Sequence, residues 1–294
     1  ADELSVAGES RAEEELEISG APPLSRPHFP VYPNVPLSFT ALNLFVECPA
    51  RFYASRVLRL DDHQEHSTTF DPERQSLIDP DRATRFGSAV HDILEKLANR
   101  RWPRELDRNL VTDCLSARGF DPDDSERIGL ATRFVEGFLG SDLGSRVREV
   151  ENSAELPLII RVGGVTIRGF ADLILDSEPP MVLDYKTNRL DGRTPAQKMG
   201  SYELQRDLYS LAVARSSGSG TVESAFVFLE EPNNPVLETF DAAGLADAEA
   251  RVEDTLTDIT EGRFFGGPQA VNQPCGQCWA CETLSAQRDR ALTG

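Results

Sequence analysis

Lysine is nearly missing from this 294-residue chain: Lys96, Lys186 and Lys198 are all there is, and arginine makes up the other 27 of the 30 basic residues. Against 49 acids this leaves a formal net charge of −19. Such a balance excludes a broad phosphate-binding surface but not a narrow one, because a nucleic acid needs positive charge only where its backbone lies. Arginine suits a narrow clamp, being planar and bidentate. No run of 18 apolar residues occurs, so no helical membrane span is encoded. The opening lacks the charged-then-apolar pattern of a secretion signal, and five cysteines form no even secretory framework. The expectation is a cytoplasmic protein whose cysteines bind metal. No G-x-x-x-x-G-K-[ST] phosphate loop is present either, so the sequence carries no nucleotide-driven motor of that type.

What is present falls into three stretches. Residues 1–36 are acidic and then proline-bearing, and read as a poorly ordered linker or tail, either the join to a longer polypeptide or the start of a small stand-alone protein. Residues 37–283 hold the periodic elements, and 284–294 a short tail. Within the middle stretch, "PLSFTALNLFVECPARFYASRVLRL" has a Ser38 or Thr40 cap and apolar residues at helical spacing through Leu42, Phe45, Phe52 and Val57. "RFGSAVHDILEKLANRRW" reads as an amphipathic helix with His91 one turn in, and "DDSERIGLATRFVEGFLGSD" as another. The period then changes to two. "AELPLIIRVGGVTIRGFADLILD" alternates about Gly163-Gly164, a hairpin signal, and "PMVLDYKT" is a third strand. A helix ("AQKMGSYELQRDLYSLAVARSS"), a strand ("VESAFVFLEE") and a helix ("AGLADAEARVEDTLTDITEGRF") complete an α/β core with a helical lead-in.

In "VLDYKTNRL" the strand period places Asp184 and Lys186 on one face and Tyr185 on the other. An acid and an ammonium there could be a plain solvated ion pair. Asp172, on the neighbouring strand, supplies a second carboxylate, and paired carboxylates make an oxygen-rich pocket suited to Mg²⁺ or Mn²⁺. His91 could complete the ligand set, with Gly87 letting its helix approach the sheet. Gln205 and Tyr209 are four apart and share a helix face. Separately these residues have plain readings as a helix-start histidine, a turn acid and a polar helix edge. Their joint occurrence in this order does not.

The series "GSAVH", "GFADL", "VLDYKT", "QRDLY" resembles the RecB-like branch of the PD-(D/E)XK nuclease superfamily, as in the nuclease domains of RecB, AddA, AddB and UvrD-type helicase-nucleases. The likeness spans roughly residues 37–283. It implies a restriction-endonuclease-like core, a mixed sheet flanked by helices. It also implies a divalent-metal-dependent DNA nuclease, exonucleolytic on single-stranded DNA or DNA ends. Such a nuclease would be the end-processing module of a helicase-nuclease in DNA repair and recombination, partnered by a helicase domain or subunit. By the same likeness His91, Asp172, Asp184 and the Tyr185 carbonyl would hold one or two metal ions. Lys186 would orient the attacking water, and Gln205 and Tyr209 would line the site. The alternative is a non-catalytic module that binds DNA ends.

Cys275, Cys278 and Cys281 form "CGQCWAC", and Cys48 lies far upstream in "VECPARFY". One early and three late cysteines look like the arrangement that holds a [4Fe–4S] cluster in AddB and in CRISPR-adaptation nucleases. The C-x-x-C-x-x-C spacing is tighter than theirs before the last cysteine, and zinc on four thiolates is the competing assignment. Cys114 reads as a plain buried thiol. Trp102 and Trp279 could stack on bases, with Trp279 more naturally packed over the cluster. His28, His63 and His66 carry no ligand spacing. "RVREVE" and "NRRWPRELDR" mix arginine with acids and read as solvated helix or loop.

Overall fold

A computed structural model describes residues 36–60, 80–103, 105–264 and 278–281. The expected linker over residues 1–35, Cys275 and the 284–294 tail lie outside the described residues, as do His28, His63 and His66. The described residues begin with a two-residue strand β1 (Leu37–Ser38), helix α1 (Phe39–Glu47), helix α2 (Pro49–Phe52) and a wide π turn (Tyr53–Val57). Four helices follow: α3 (Pro80–Asn99), α4 (Arg108–Ala117), α5 (Ser125–Leu139) and α6 (Asp142–Glu149). Then come strands β2 (Asn152–Val162), β3 (Val165–Leu175) and β4 (Met181–Lys186), helix α7 (Pro195–Lys198), a 3₁₀ turn (Met199–Tyr202) and helix α8 (Glu203–Ser217). Strands β5 (Val222–Phe228) and β6 (Val236–Phe240) and helix α9 (Ala242–Thr260) complete the order.

The expected mixed sheet is there, with six strands among the described residues. β2 and β3 form the hairpin read from Gly163-Gly164, whose backbones take φ of +52° and +81°, as a tight two-residue turn requires. β2 occupies one edge of β3 along its length. The other edge is divided: β1 pairs in parallel at Ile167 and Arg168, and β4 pairs antiparallel at Leu173 to Leu175. Between those two contacts no strand among the described residues pairs with this edge of β3. β4 and β5 run parallel through the α7–α8 crossover, and β6 closes the far side antiparallel. β4 is buried along nearly all its length, as a central strand covered on both faces must be. One core joins α1, α8 and α9 to Val182 and Phe226; the other joins α3 to α6 to Leu183, Tyr185 and Val227.

Several elements differ from expectation. The first helix is broken at Cys48, which is extended (φ −160°, ψ 100°) because it precedes Pro49; proline's ring disfavours the helical region for its predecessor. Ser38, not Thr40, is the cap, accepting from the Ala41 N–H at 3.0 Å. α3 begins well before "RFGS", so His91 sits in the middle of a 20-residue helix instead of one turn in. The helix expected over 196–217 has two pieces, divided by the 3₁₀ turn that contains Gly200. Strand β6 was not expected; it is short and alternately exposed, and packs less than a central strand does. Trp102 is buried, donating to Asn152 Oδ1 at 3.1 Å, and so offers no stacking face. Arg146 pairs with Glu223 and Arg148 donates to the Leu139 carbonyl, which are structural tasks within the fold.

Candidate active site

The open stretch of β3's edge is where the expected residues meet. Past Leu173 and Leu183 the β3–β4 ladder ends, and there the Tyr185 N–H donates to Asp172 Oδ2 at 2.7 Å in place of a ladder bond. Asp172 Oδ1 lies 3.2 Å from His91 Nδ1. α3 reaches this close because Gly87, one turn before His91, has no side chain: a Cβ there would stand 2.7 Å from Thr187 Oγ1.

Asp184 and Lys186 do share a face, with Lys186 Nζ 2.7 Å from Asp184 Oδ2. That oxygen is buried and, despite the short distance, has no partner in hydrogen-bond geometry. Gln205 ties the group together. Its Oε1 accepts from Lys186 at 2.9 Å, while Nε2 donates to Asp184 Oδ1 at 2.8 Å and to the Tyr209 hydroxyl at 2.7 Å. The Lys186 ammonium also lies over the Tyr202 ring, 4.4 Å from its centroid.

Burial sets the electrostatics. It pushes the Asp184 carboxyl up to about 6, with repulsion from Asp172 adding to the rise and Lys186 opposing it. Burial acts upward on Asp172 too, but the His91 charge, the His91 hydrogen bond and the Tyr185 N–H hold it below the usual carboxylate range. On His91 burial pulls down, yet the Asp172 carboxylate and its hydrogen bond win and raise the imidazole to about 9. Burial holds the Tyr209 phenol well above its ordinary value, the Asp184 and Asp172 charges adding to the rise; its oxygen accepts from Gln205 and its O–H faces the Asp184 carboxylate.

One residue escaped the sequence reading. Glu155 stands opposite Asp172 across the β2–β3 hairpin, at a position both ladders skip, and its backbone is left-handed with φ +48°. Single ligand atoms of His91, Glu155 and Asp172 all lie within 4.8 Å of one another. Burial and then the Asp172 charge raise the Glu155 carboxyl. Counting back from the Gly163-Gly164 turn would have placed 155 against 172. No motif marks it, and the alternation of "SAELPL" does not single out its face.

Two donor sets could therefore hold metal. Imidazole and carboxylates from His91, Glu155 and Asp172 suit a hard divalent ion such as Mg²⁺ or Mn²⁺, and Asp184, whose buried Oδ2 has Lys186 Nζ at 2.7 Å, is a further candidate carboxylate. Separately, Cys48 Sγ lies 3.7 Å from Cys278 Sγ and 3.4 Å from Cys281 Sγ. Thiolates at about 2.3 Å around one tetrahedral ion would stand roughly 3.8 Å apart. The Cys114 thiol lies apart from these, buried, with Lys96 Nζ at 3.2 Å.

A family model described as the PD-(D/E)XK nuclease superfamily matches residues 36–283. No protein among the curated ones matches the chain. Among solved structures, one described as "Putative exonuclease" from Eubacterium rectale is similar in fold, at 12% identity and a TM-score of 0.50. The match covers 84% of this chain and 87% of that one. A second, described as SSO0001, is 16% identical over 60% of this chain and 84% of its own, with a TM-score of 0.28 too low to carry an argument.

Proposed function

This chain belongs to the PD-(D/E)XK nuclease superfamily and is a phosphodiester hydrolase, and from that premise we propose that it is an exonuclease acting on single-stranded DNA at DNA ends. The observation that carries the site assignment is the closed network of Asp184, Lys186, Gln205 and Tyr209 beside the His91–Glu155–Asp172 group. The last three with Asp184 would hold Mg²⁺ or Mn²⁺, and the Tyr185 carbonyl is a further candidate ligand. When bound, such an ion supplies a water made acidic enough to attack near neutral pH and positive charge against the phosphate.

The chain's own residues do the rest. Lys186, fixed by Asp184, Gln205 and the Tyr202 ring, aims a cation at the scissile phosphate or its attacking water. Gln205 locks that ammonium and both of its neighbours into one orientation. Tyr209 stays protonated and, held by Gln205 and Asp184, fixes the carboxylate from the helix side. The sheet edge left open between β1 and β4 is the way in. We also assign the role of end-processing module beside a helicase of the UvrD, RecB or AddA type, in double-strand-break repair. Cys48, Cys278 and Cys281, with Cys275 as fourth ligand, would hold a structural metal. The resemblance favours [4Fe–4S]. The sulfur spacing favours a single zinc ion, since a cube would seat each thiolate on a separate iron and spread them.

Degradation of end-labelled single-stranded DNA in Mg²⁺ or Mn²⁺ tests the reading, with Asp184→Asn matched to wild type for folding. Metal-dependent cleavage that falls at least about a hundredfold in the variant is the expected result. A well-folded wild type that binds DNA ends and cuts nothing with either metal would instead make this a non-catalytic end-binding module.

A further inference from the structure

A cleft of about 740 Å³ leads away from Lys186, Gln205 and Tyr209. One wall is the face of α1 and α2 from Asn43 through Glu47 to Arg51, continued by Arg56; the facing wall is the open part of β3, with Arg168 and Phe170. The two walls are drawn together at Gly169, where a Cβ would fall 2.4 Å from the Phe39 ring. The wall is anchored to the site itself, because Asn43 Nδ2 donates to Gln205 Oε1 at 3.4 Å. Arg168 and Phe170 are two apart on β3, about 7 Å from one another, and Asp172 follows two residues further on.

Three features point to one occupant. In a chain of net charge −19, this cleft gathers Arg51, Arg56 and Arg168 against a single acid, Glu47. Arg56 and Arg168 are exposed and have no acidic partner among the described residues. Phe170 presents its ring to solvent at 59% exposure, although it stands on a strand beside the deepest part of the site. Cations alone would fit any polyanion; cations alternating with a bare aromatic face fit a strand whose bases are unpaired and can stack. A duplex would offer that ring only its sugar–phosphate edge.

We propose that this cleft is the track for the single strand, with Arg56 and Arg168 holding phosphates and Phe170 stacking a base next to the scissile position. The inference rests on the nuclease reading above. Fluorescence anisotropy with a labelled oligonucleotide, single-stranded or as blunt duplex, in Ca²⁺ and at several salt concentrations, measures the track without relying on cleavage. Turnover of bis(4-nitrophenyl) phosphate in Mn²⁺, a diester too short to reach Phe170, reports the chemistry alone.

Phe170→Ala is expected to weaken single-strand binding about tenfold, with Phe170→Trp restoring it and duplex binding barely changed. Arg56→Ala with Arg168→Ala should lower the single-strand salt slope by about 1.4. Leu237→Ala, another exposed apolar residue at 58% on the distant edge strand, should change neither binding nor diester turnover. Unchanged single-strand affinity in the Phe170 and arginine variants overturns the track and leaves the nuclease reading standing. A wild type inert toward the short diester overturns the nuclease reading, while the anisotropy series still decides the track. Equal loss of duplex and single-strand binding would make the cleft a general polyanion groove and overturn the stacking role.

Discussion

At the scale of single residues, the chemistry of the site is a contest between burial and neighbouring charge. His91 is the clearest case. Its pKa is raised to about 9 because Asp172 outweighs the burial that opposes its charge. The stability it contributes to the metal-free protein is therefore complete below its ordinary value near 6.5 and is lost as pH rises through 9. Melting in EDTA should fall across that window by at most about 3 kcal/mol of stability, and His91→Gln should flatten the fall. A flat wild-type profile would contradict the pairing. Added Mn²⁺ should stabilise more at pH 9 than at 6.5, since the imidazole must shed its proton to ligate. Glu155 makes a different prediction. A non-glycine residue in a left-handed strand position costs on the order of 1 kcal/mol or more. Glu155→Gly should melt above Glu155→Gln, with cleavage lost in both; a lower-melting glycine variant, or full cleavage by either, would remove Glu155 from the proposed ligand set. Asp172, Asp184 and Lys186 were legible because a strand's period fixes their faces. Glu155 was not, because its side chain reaches the site through a backbone reversal that no local pattern encodes.

At the scale of elements, the site depends on how near a helix can come to a sheet. Gly87→Ala would put a methyl 2.7 Å from Thr187 Oγ1, so either the Thr187 side chain turns aside or α3 lifts and carries His91 away from Asp172; the second is expected. The expected cost is about 1–3 kcal/mol with a weakened metal response. Removing the opposing oxygen in Gly87→Ala with Thr187→Ala should recover most of it, a non-additivity readable by denaturant melts. If the double variant is no better than the sum of the singles, the contact is not what limits the approach. The elements the sequence revealed are those with one dominant pattern: the glycine-marked hairpin, the apolar β4 and β5, and the amphipathic α5 and α9. Where two local preferences compete, the pattern hid the outcome. "VECPARF" has unbroken helical spacing, yet Pro49 forces Cys48 out of the helix. β6 has a strand's alternation over only five residues at an edge, too weak against its polar surroundings.

At the scale of the whole molecule, two distant parts of the chain meet on one side of the sheet. Phe264, following α9, stacks on Phe52 with centroids 6.0 Å apart and packs against Phe45 and Tyr53, while Cys48 lies beside Cys278 and Cys281. Closing so long a loop with metal constrains the unfolded chain by an entropic limit of about 5 kcal/mol. Chelation, or Cys48→Ser, is thus expected to lower the melting temperature sharply; a variant that melts like wild type would show the thiols hold nothing. Metal counting on anaerobic protein separates the two assignments: one zinc per chain without colour, or iron with broad visible absorption. The same meeting has a consequence for how the protein is born. Cys48 and Cys281 are 233 residues apart, so at about 5–20 residues per second a ribosome needs roughly 10–50 s between them. For that interval Phe45, Phe52 and a reduced thiol leave the exit tunnel with none of their late partners yet made, a clear opening for a chaperone on the nascent chain.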